Sequence, residues 1–211
     1  MPSSRENILL RLKDARDRRK VTEPEPPDMD ALIYVEPDKD MAGSFQEKLE
    51  QLSGIVHRVK DLGSAIDLIR QMAEEAQWEP VFCLDKTLQR ALKGKVEFRE
   101  APEDFNNLQT GITPCEFLVA HLGSVMVSSG GASGRRLHVF PETHIVIAHM
   151  GQMVWYLDEA LRLLQDKYKD RLPSMITNIT GASRTADIEK TLVKGMHGPR
   201  KLIVVLCDEP F

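Results

Sequence analysis

Apolar side chains recur at helical spacing in some stretches and at alternating or continuous spacing in others, and the switches mark the elements. Ile8, Leu9, Leu12 and Ala15 share one face of a helix over residues 3–19, with Ser3 and Glu6 at capping-box spacing. From Thr22 to Asp40 the periodicity disappears and Pro24, Pro26, Pro27 and Pro37 intervene, which reads as an extended arm. Helical spacing returns at Met41, Phe45, Leu49 and Leu52, followed by a strand at Ile55–Val59. Ser64 and Asp67 open another helix carrying Ile66, Ile69 and Met72. Pro80–Leu84 reads as a strand, Thr87–Leu92 as a short helix and Val96–Phe98 as a short strand. Such alternation predicts a mostly parallel sheet covered by helices.

The second half has another texture. A strand at Gly123–Ser128 runs into Ser-Ser-Gly-Gly-Ala-Ser-Gly at 128–134, then a β-rich Leu137–Phe140 and a strand at Thr143–Ala148. That succession suggests an antiparallel or mixed insertion. Met153, Val154, Leu157, Leu161, Leu164 and Tyr168 mark a long amphipathic helix. Met175–Thr180 reads as a strand, Ala186–Lys194 as a helix and Leu202–Leu206 as the last strand. The expected architecture is α/β: a mixed, mostly parallel sheet covered by helices at 41–211, with a helical appendage and Pro-rich arm at 1–40. The appendage helix is expected to pack on the body or on a neighbouring copy in a homo-oligomer.

Composition narrows the function classes. With 28 basic and 32 acidic residues the formal charge is -4, which argues against a general nucleic-acid binder. Cys83, Cys115 and Cys207 lie far apart and form no CxxC pair, so neither a metal site nor an iron–sulfur cluster is expected in this chain. Sparse cysteines suit a reducing, cytoplasmic setting. No apolar run has the length of a signal peptide or a membrane span, and neither is expected.

Candidate chemistry lies in three places. Thr180, Gly181, Ser183, Arg184, Thr185 and Asp187 join a strand to the expected helix, where backbone N–H groups could receive an anion. The competing reading is a capped turn in which Arg184 pairs with Asp187. Ser128, Ser129, Gly130, Gly131, Ser133 and Arg135 combine hydroxyls, close-approach glycines and a planar cation. That loop could equally be a plain hairpin connection. His197, in the Gly195–Pro199 turn, could titrate near neutrality or simply be solvated. Both loops follow strands, so they are expected to meet at one end of the sheet around a carboxylate or phosphate. Glu116 reads as the start of a helix, and no catalytic residue is assigned.

The stretch Thr180–Glu189, the Gly195-Met196-His197-Gly198-Pro199 turn, and the upstream Gly111-Ile112-Thr113 and Gly123–Ser128 resemble the LUD domain, the lactate-utilisation domain of the LutC/YkgG type. The resemblance runs from about Met41 to the end. It implies a fold like the NagB/RpiA/CoA-transferase superfamily and a cluster-free accessory role beside iron–sulfur partner proteins that oxidise L-lactate to pyruvate. The alternative is a stand-alone enzyme or an anion-binding sensor of that superfamily, acting on a phosphorylated or acyl-CoA ligand. His121-Leu122 and Ala182 depart from the family's usual acidic-Thr pair and proline.

Overall fold

The computed structural model describes residues 3–18, 40–100, 108–186, 192–194 and 198–211, with the side chains of 184–186 and 192–194 left aside. The chain forms two compact units, Met1–Pro37 and Asp38–Phe211. The first contains helix α1 (Ser4–Arg18). Its N-terminus closes as a capping box: the Ser3 N–H donates to Glu6 Oε2 at 2.7 Å, and the Glu6 N–H reaches Ser3 Oγ at 3.4 Å.

The second unit begins with α2 (Met41–Gln51) and β1 (Ile55–Val59), then α3 (Leu62–Ala76), β2 (Val81–Cys83), α4 (Lys86–Leu92) and β3 (Phe98–Arg99). It continues with β4 (Thr110–Thr113), β5 (Phe117–Val119), β6 (Ser124–Ser128), β7 (Thr143–His149), β8 (Met153–Val154) and α5 (Leu157–Tyr168). The last strands are β9 (Ile176–Ile179), β10 (Arg184–Ala186), β11 (Leu192–Lys194) and β12 (Lys201–Cys207). Three N-caps are aspartates, Asp40, Asp61 and Asp85, each accepting backbone N–H groups of the first turn. Asp61, not Ser64, therefore opens α3.

Six strands form a parallel sheet in the order β1-β12-β7-β4-β2-β3. Parallel strands buried on both faces should carry continuous apolar runs, and Ile145–Ala148 of β7 and Leu202–Cys207 of β12 are such runs. Along them the side chains divide by parity. Ile145, Ile147, Ile203 and Val205 join Ile66, Ile69, Leu88 and Leu92 under α3 and α4. Val146, Ala148, Leu202, Val204 and Leu206 join Phe45 and Leu49 of α2 on the other face. A second, mixed sheet, β8-β5-β6-β9, shares that face through Leu118, Val125 and Val127. Its outer side is covered by α5 through Met126, Ala160 and Leu164. The mixed, mostly parallel α/β architecture expected from the pattern is present, and antiparallel pairing occurs in the second sheet and in the separate β10-β11 pair.

Three local expectations are overturned. Leu137–Phe140 is not β-rich: Arg136–His138 is a turn of 3₁₀-helix. Leu137 is buried against the Gly111 backbone while Val139 and Phe140 are exposed, so no alternating face exists for a sheet to bury. Ala186–Lys194 is not one helix either, because Arg184–Ala186 pairs antiparallel with Leu192–Lys194. The β-branched Thr185 and Val193 are register partners there, which favours strand over helix. Glu116 starts no helix. It sits in the link between β4 and β5.

Candidate functional site

A cavity of about 210 Å3 opens beyond the C-terminal ends of β2 and β4, the edge where open parallel sheets place ligands. Asp85 follows β2, and Pro114, Cys115 and Glu116 follow β4. Val127 and Ser128 end β6, Gly131, Ser133 and His138 come from the segment after it, and Lys167 and Tyr168 end α5.

Glu116 organises the cavity. Its N–H donates to the Met126 carbonyl at 2.8 Å, tying the β4–β5 link to β6. Its carboxylate, only 7% exposed, accepts from Ser128 Oγ at 2.5 Å, Tyr168 OH at 2.7 Å and Lys167 Nζ at 2.7 Å. Burial alone would raise its pKa, but the bonds from Lys167, Ser128 and Tyr168 outweigh burial and hold it below the usual carboxylate value. Burial would lower the Lys167 pKa, and Glu116 more than reverses this. Burial and Glu116 together raise the Tyr168 phenol. At neutral pH the cluster is thus a carboxylate, an ammonium and a neutral phenol. Lys167 remains 56% exposed, so its other two donors can face a ligand.

Behind the carboxylate lie two histidines. His138 is 3% exposed, and its ring centroid lies 5.6 Å from that of the fully buried His144 on β7. His144 Nε2 lies 2.8 Å from Thr113 Oγ1. Burial lowers both pKa values, that of His144 to about 3 with a contribution from His138. Both rings are therefore neutral at physiological pH. Neither nitrogen of His138 has a partner of good hydrogen-bond geometry among the described residues, although the backbone of Ser128 and Gly134 beside it slightly favours its charged form. Ser133 Oγ is likewise buried and, among the described residues, unpartnered. Burial pushes the Cys115 thiol up, which leaves it protonated and poorly nucleophilic.

A hollow of about 260 Å3 beside Trp78 and Pro80 is larger, but its two lining cations are engaged at the surface, Arg70 with Glu74 at 2.8 Å and Lys95 with Asp67 at 3.0 Å. Buried unpartnered side chains line the first cavity and not this one, among the described residues.

The sequence-derived candidates divide. Ser128 and Gly131 line the cavity. Gly130 lies beneath Tyr168, where a Cβ would come 2.5 Å from the hydroxyl. Ser129 Oγ accepts from the Met175 N–H at 3.1 Å, and Arg135 donates to Ser174 Oγ, so both tie the loop to the segment before β9. Thr180, Gly181 and Ser183 are elsewhere. β6 and β9 are antiparallel, with Ser128 opposite Ile176 and Val125 opposite Ile179, so Ser128 and Thr180 leave opposite ends of the strand pair. The expected meeting of the two loops at one end of the sheet is overturned by that register. Gly181, with φ of 84°, packs on Leu52, and the Ser183 N–H donates to the Pro199 carbonyl at 2.9 Å. The backbones of Arg184 and Thr185 belong to the β10–β11 hairpin, and Asp187 and His197 lie outside the described residues.

The family model of the LUD domain matches residues 43–207. The chain belongs to the LUD domain family. Its curated relatives include lactate utilization protein C 1 of Bacillus mycoides, 34% identical over 101 residues, covering 47% of this chain and 43% of the relative. Lactate utilization protein C of Shouchella clausii is 36% identical over 100 residues, covering 47% and 44%. The matches thus span less than half the length of these relatives. A crystal structure of a DUF162 family protein from Deinococcus radiodurans superposes with a TM-score of 0.56 at 16% identity, over 79% of this chain and 96% of that one. This likeness concerns the fold. In this LUD domain the cavity residues that sequence reasoning missed are Asp85, His138, Lys167 and Tyr168, with Glu116 assigned to a helix end. Lys167 and Tyr168 stand 51 and 52 positions after Glu116, so no spacing motif links them.

Proposed function

We propose that this LUD domain is a cytoplasmic, small-carboxylate-binding component of lactate utilisation, with the cavity around Glu116 and Lys167 as its site. The observation that carries the reading is the ion pair itself: a half-exposed ammonium, held at the cavity rim by a buried carboxylate. The names of the relatives point to lactate, and a monocarboxylate suits the charges. Ser128 and Gly131 contribute the wall, while Ser129, Gly130 and Arg135 hold the loop in shape. Oxidation of L-lactate to pyruvate releases two electrons and two protons, and the electrons belong to iron–sulfur partner proteins.

The phosphorylated or acyl-CoA ligand has less support. The cavity is smaller than the ~300–1,000 Å3 usual for drug-sized ligands. A dianion would also be repelled by Glu116 and Asp85. Calorimetric titration of the purified chain with L-lactate and pyruvate tests the reading. Lys167→Ala should weaken binding ~10-fold or more, as expected for loss of a charged hydrogen bond. Undiminished binding in that variant removes the site.

A further inference from the structure

We propose that the outer edge of β9 pairs antiparallel with the same edge of a second copy of this chain, joining the two mixed sheets across a two-fold axis at Thr177. β9 ends the order β8-β5-β6-β9 and, among the described residues, pairs with no strand but β6. None of its residues is buried, whereas every residue of β6 is. The ladder shows which backbone groups of β9 face outward. The Ser129 N–H donates to the Met175 carbonyl at 3.0 Å, and the Met126 carbonyl is taken on the other side by the Glu116 N–H. Successive residues of a strand alternate in the direction of their N–H and C=O groups, so Val125, Val127 and Ser129 bond toward β9. Their counterparts Ile179, Thr177 and Met175 bond back, and Ile176 and Asn178 aim their backbone groups away from β6.

A second copy suits this edge. No charged residue occurs between Arg171 and Arg184, so an antiparallel partner of identical sequence opposes no like charges. The devices that usually protect an exposed edge, a lysine, a proline or a bulge, are missing from Ile176–Ile179. The outward groups at Ile176 and Asn178 are symmetric about Thr177. In the dimer Ile176 of each copy exchanges both backbone bonds with Asn178 of the other, and the two Thr177 residues face each other as a non-hydrogen-bonded pair. The far edge of the same sheet, β8, is only Met153–Val154, too short to receive β9 head to tail, so the association closes as a dimer and does not grow into a fibre. Ser174 and Met175, at the entry to β9, hold Arg135 and Ser129, so pairing also braces the loop that borders the cavity, whatever its ligand.

Sedimentation velocity on the full chain tests the pairing. The wild type should be a dimer at micromolar concentration. Ile176→Pro removes an outward N–H from each copy and leaves the bonds to β6 in place, so it should weaken the dimer ~10-fold or more, the scale of two net hydrogen bonds. Thr177→Cys sets two thiols across the axis at the ~4.5 Å Cα separation of a non-hydrogen-bonded pair, within disulfide reach, so mild oxidation should crosslink it. Asn178→Cys, two residues out of register with its own copy, should crosslink far less. A monomeric wild type overturns the pairing, and so does a dimer undiminished in folded Ile176→Pro. If the proline variant does not fold, the cysteine variants decide: a Thr177→Cys chain that crosslinks no better than Asn178→Cys overturns it.

Discussion

Ser128–Arg135 and Thr180–Arg184 are built from nearly the same ingredients: small hydroxyl residues, glycine, alanine and an arginine. They leave opposite ends of the β6–β9 pair and meet different neighbours. The first borders a cavity lined by Glu116, Lys167, Tyr168 and the neutral His138, with His144 beside His138. The second presses Gly181 onto Leu52, so its glycine serves close packing of backbone on backbone. Composition alone does not distinguish a glycine that admits a ligand from one that admits a neighbouring chain segment. The partner atom does.

Acid should separate the two regions most strongly. His144 has its pKa lowered from 6.5 to about 3, so the unfolded chain binds a proton there that the folded chain refuses. Its contribution is complete above pH 6.5 and is lost as pH falls toward 3, at about 1.4 kcal/mol per pH unit. Between pH 7 and pH 4 His144 alone should cost roughly 3 kcal/mol. The lowered pKa of Glu116 adds a further loss as pH falls below the ordinary 4.5 and through its folded value. Urea denaturation across this range measures the slope. A flat profile would contradict the burial of this histidine.

Next in size is Gly181→Ala. The new Cβ meets the Leu52 carbonyl oxygen and Cβ at a residue whose φ is 84°, and neither backbone can yield cheaply. Strain and overpacking together should cost about 2–3 kcal/mol, or ~5–10 °C in Tm for a chain of this size. Carboxylate binding by the folded fraction should be unaffected, since Gly181 lies at the other end of the strand pair. A large change in affinity would show that the two regions communicate.

Gly130→Ala is the matching change in the first region. Its Cβ meets the end of a side chain, the Tyr168 hydroxyl, which can move at the expense of its bond to Glu116. Stability should fall by only ~1 kcal/mol, while the ultraviolet titration of Tyr168 should shift toward that of a free phenol. Smallest of all is Arg135→Ala. An exposed bond to Ser174 is worth at most ~1 kcal/mol, and the variant should lose less carboxylate affinity than Lys167→Ala. The reverse order would return Arg135 to the ligand.

Much of this fold is legible in the chain. The unbroken apolar runs of β7 and β12 can be buried only as interior parallel strands, and the spacing of Met41, Phe45 and Leu49 permits only a helix with one buried face. Ser128 and Gly131 were legible as cavity wall because small residues after a strand leave room for something else. The hairpin at β10–β11 was not, because a short apolar spacing fits helix and strand equally until a partner strand is present. Nor could the chain order announce the cluster around Glu116. Its carboxylate, Ser128, His138 and the Lys167–Tyr168 end of α5 come from separate parts of the chain, and a buried ionised group is tolerable only when its donors arrive together. Sequence by itself determined which segments are apolar on which face, because that depends on local periodicity. Tertiary structure alone decided which strand ends lie side by side, because the antiparallel register of β6 and β9 is settled by non-local packing.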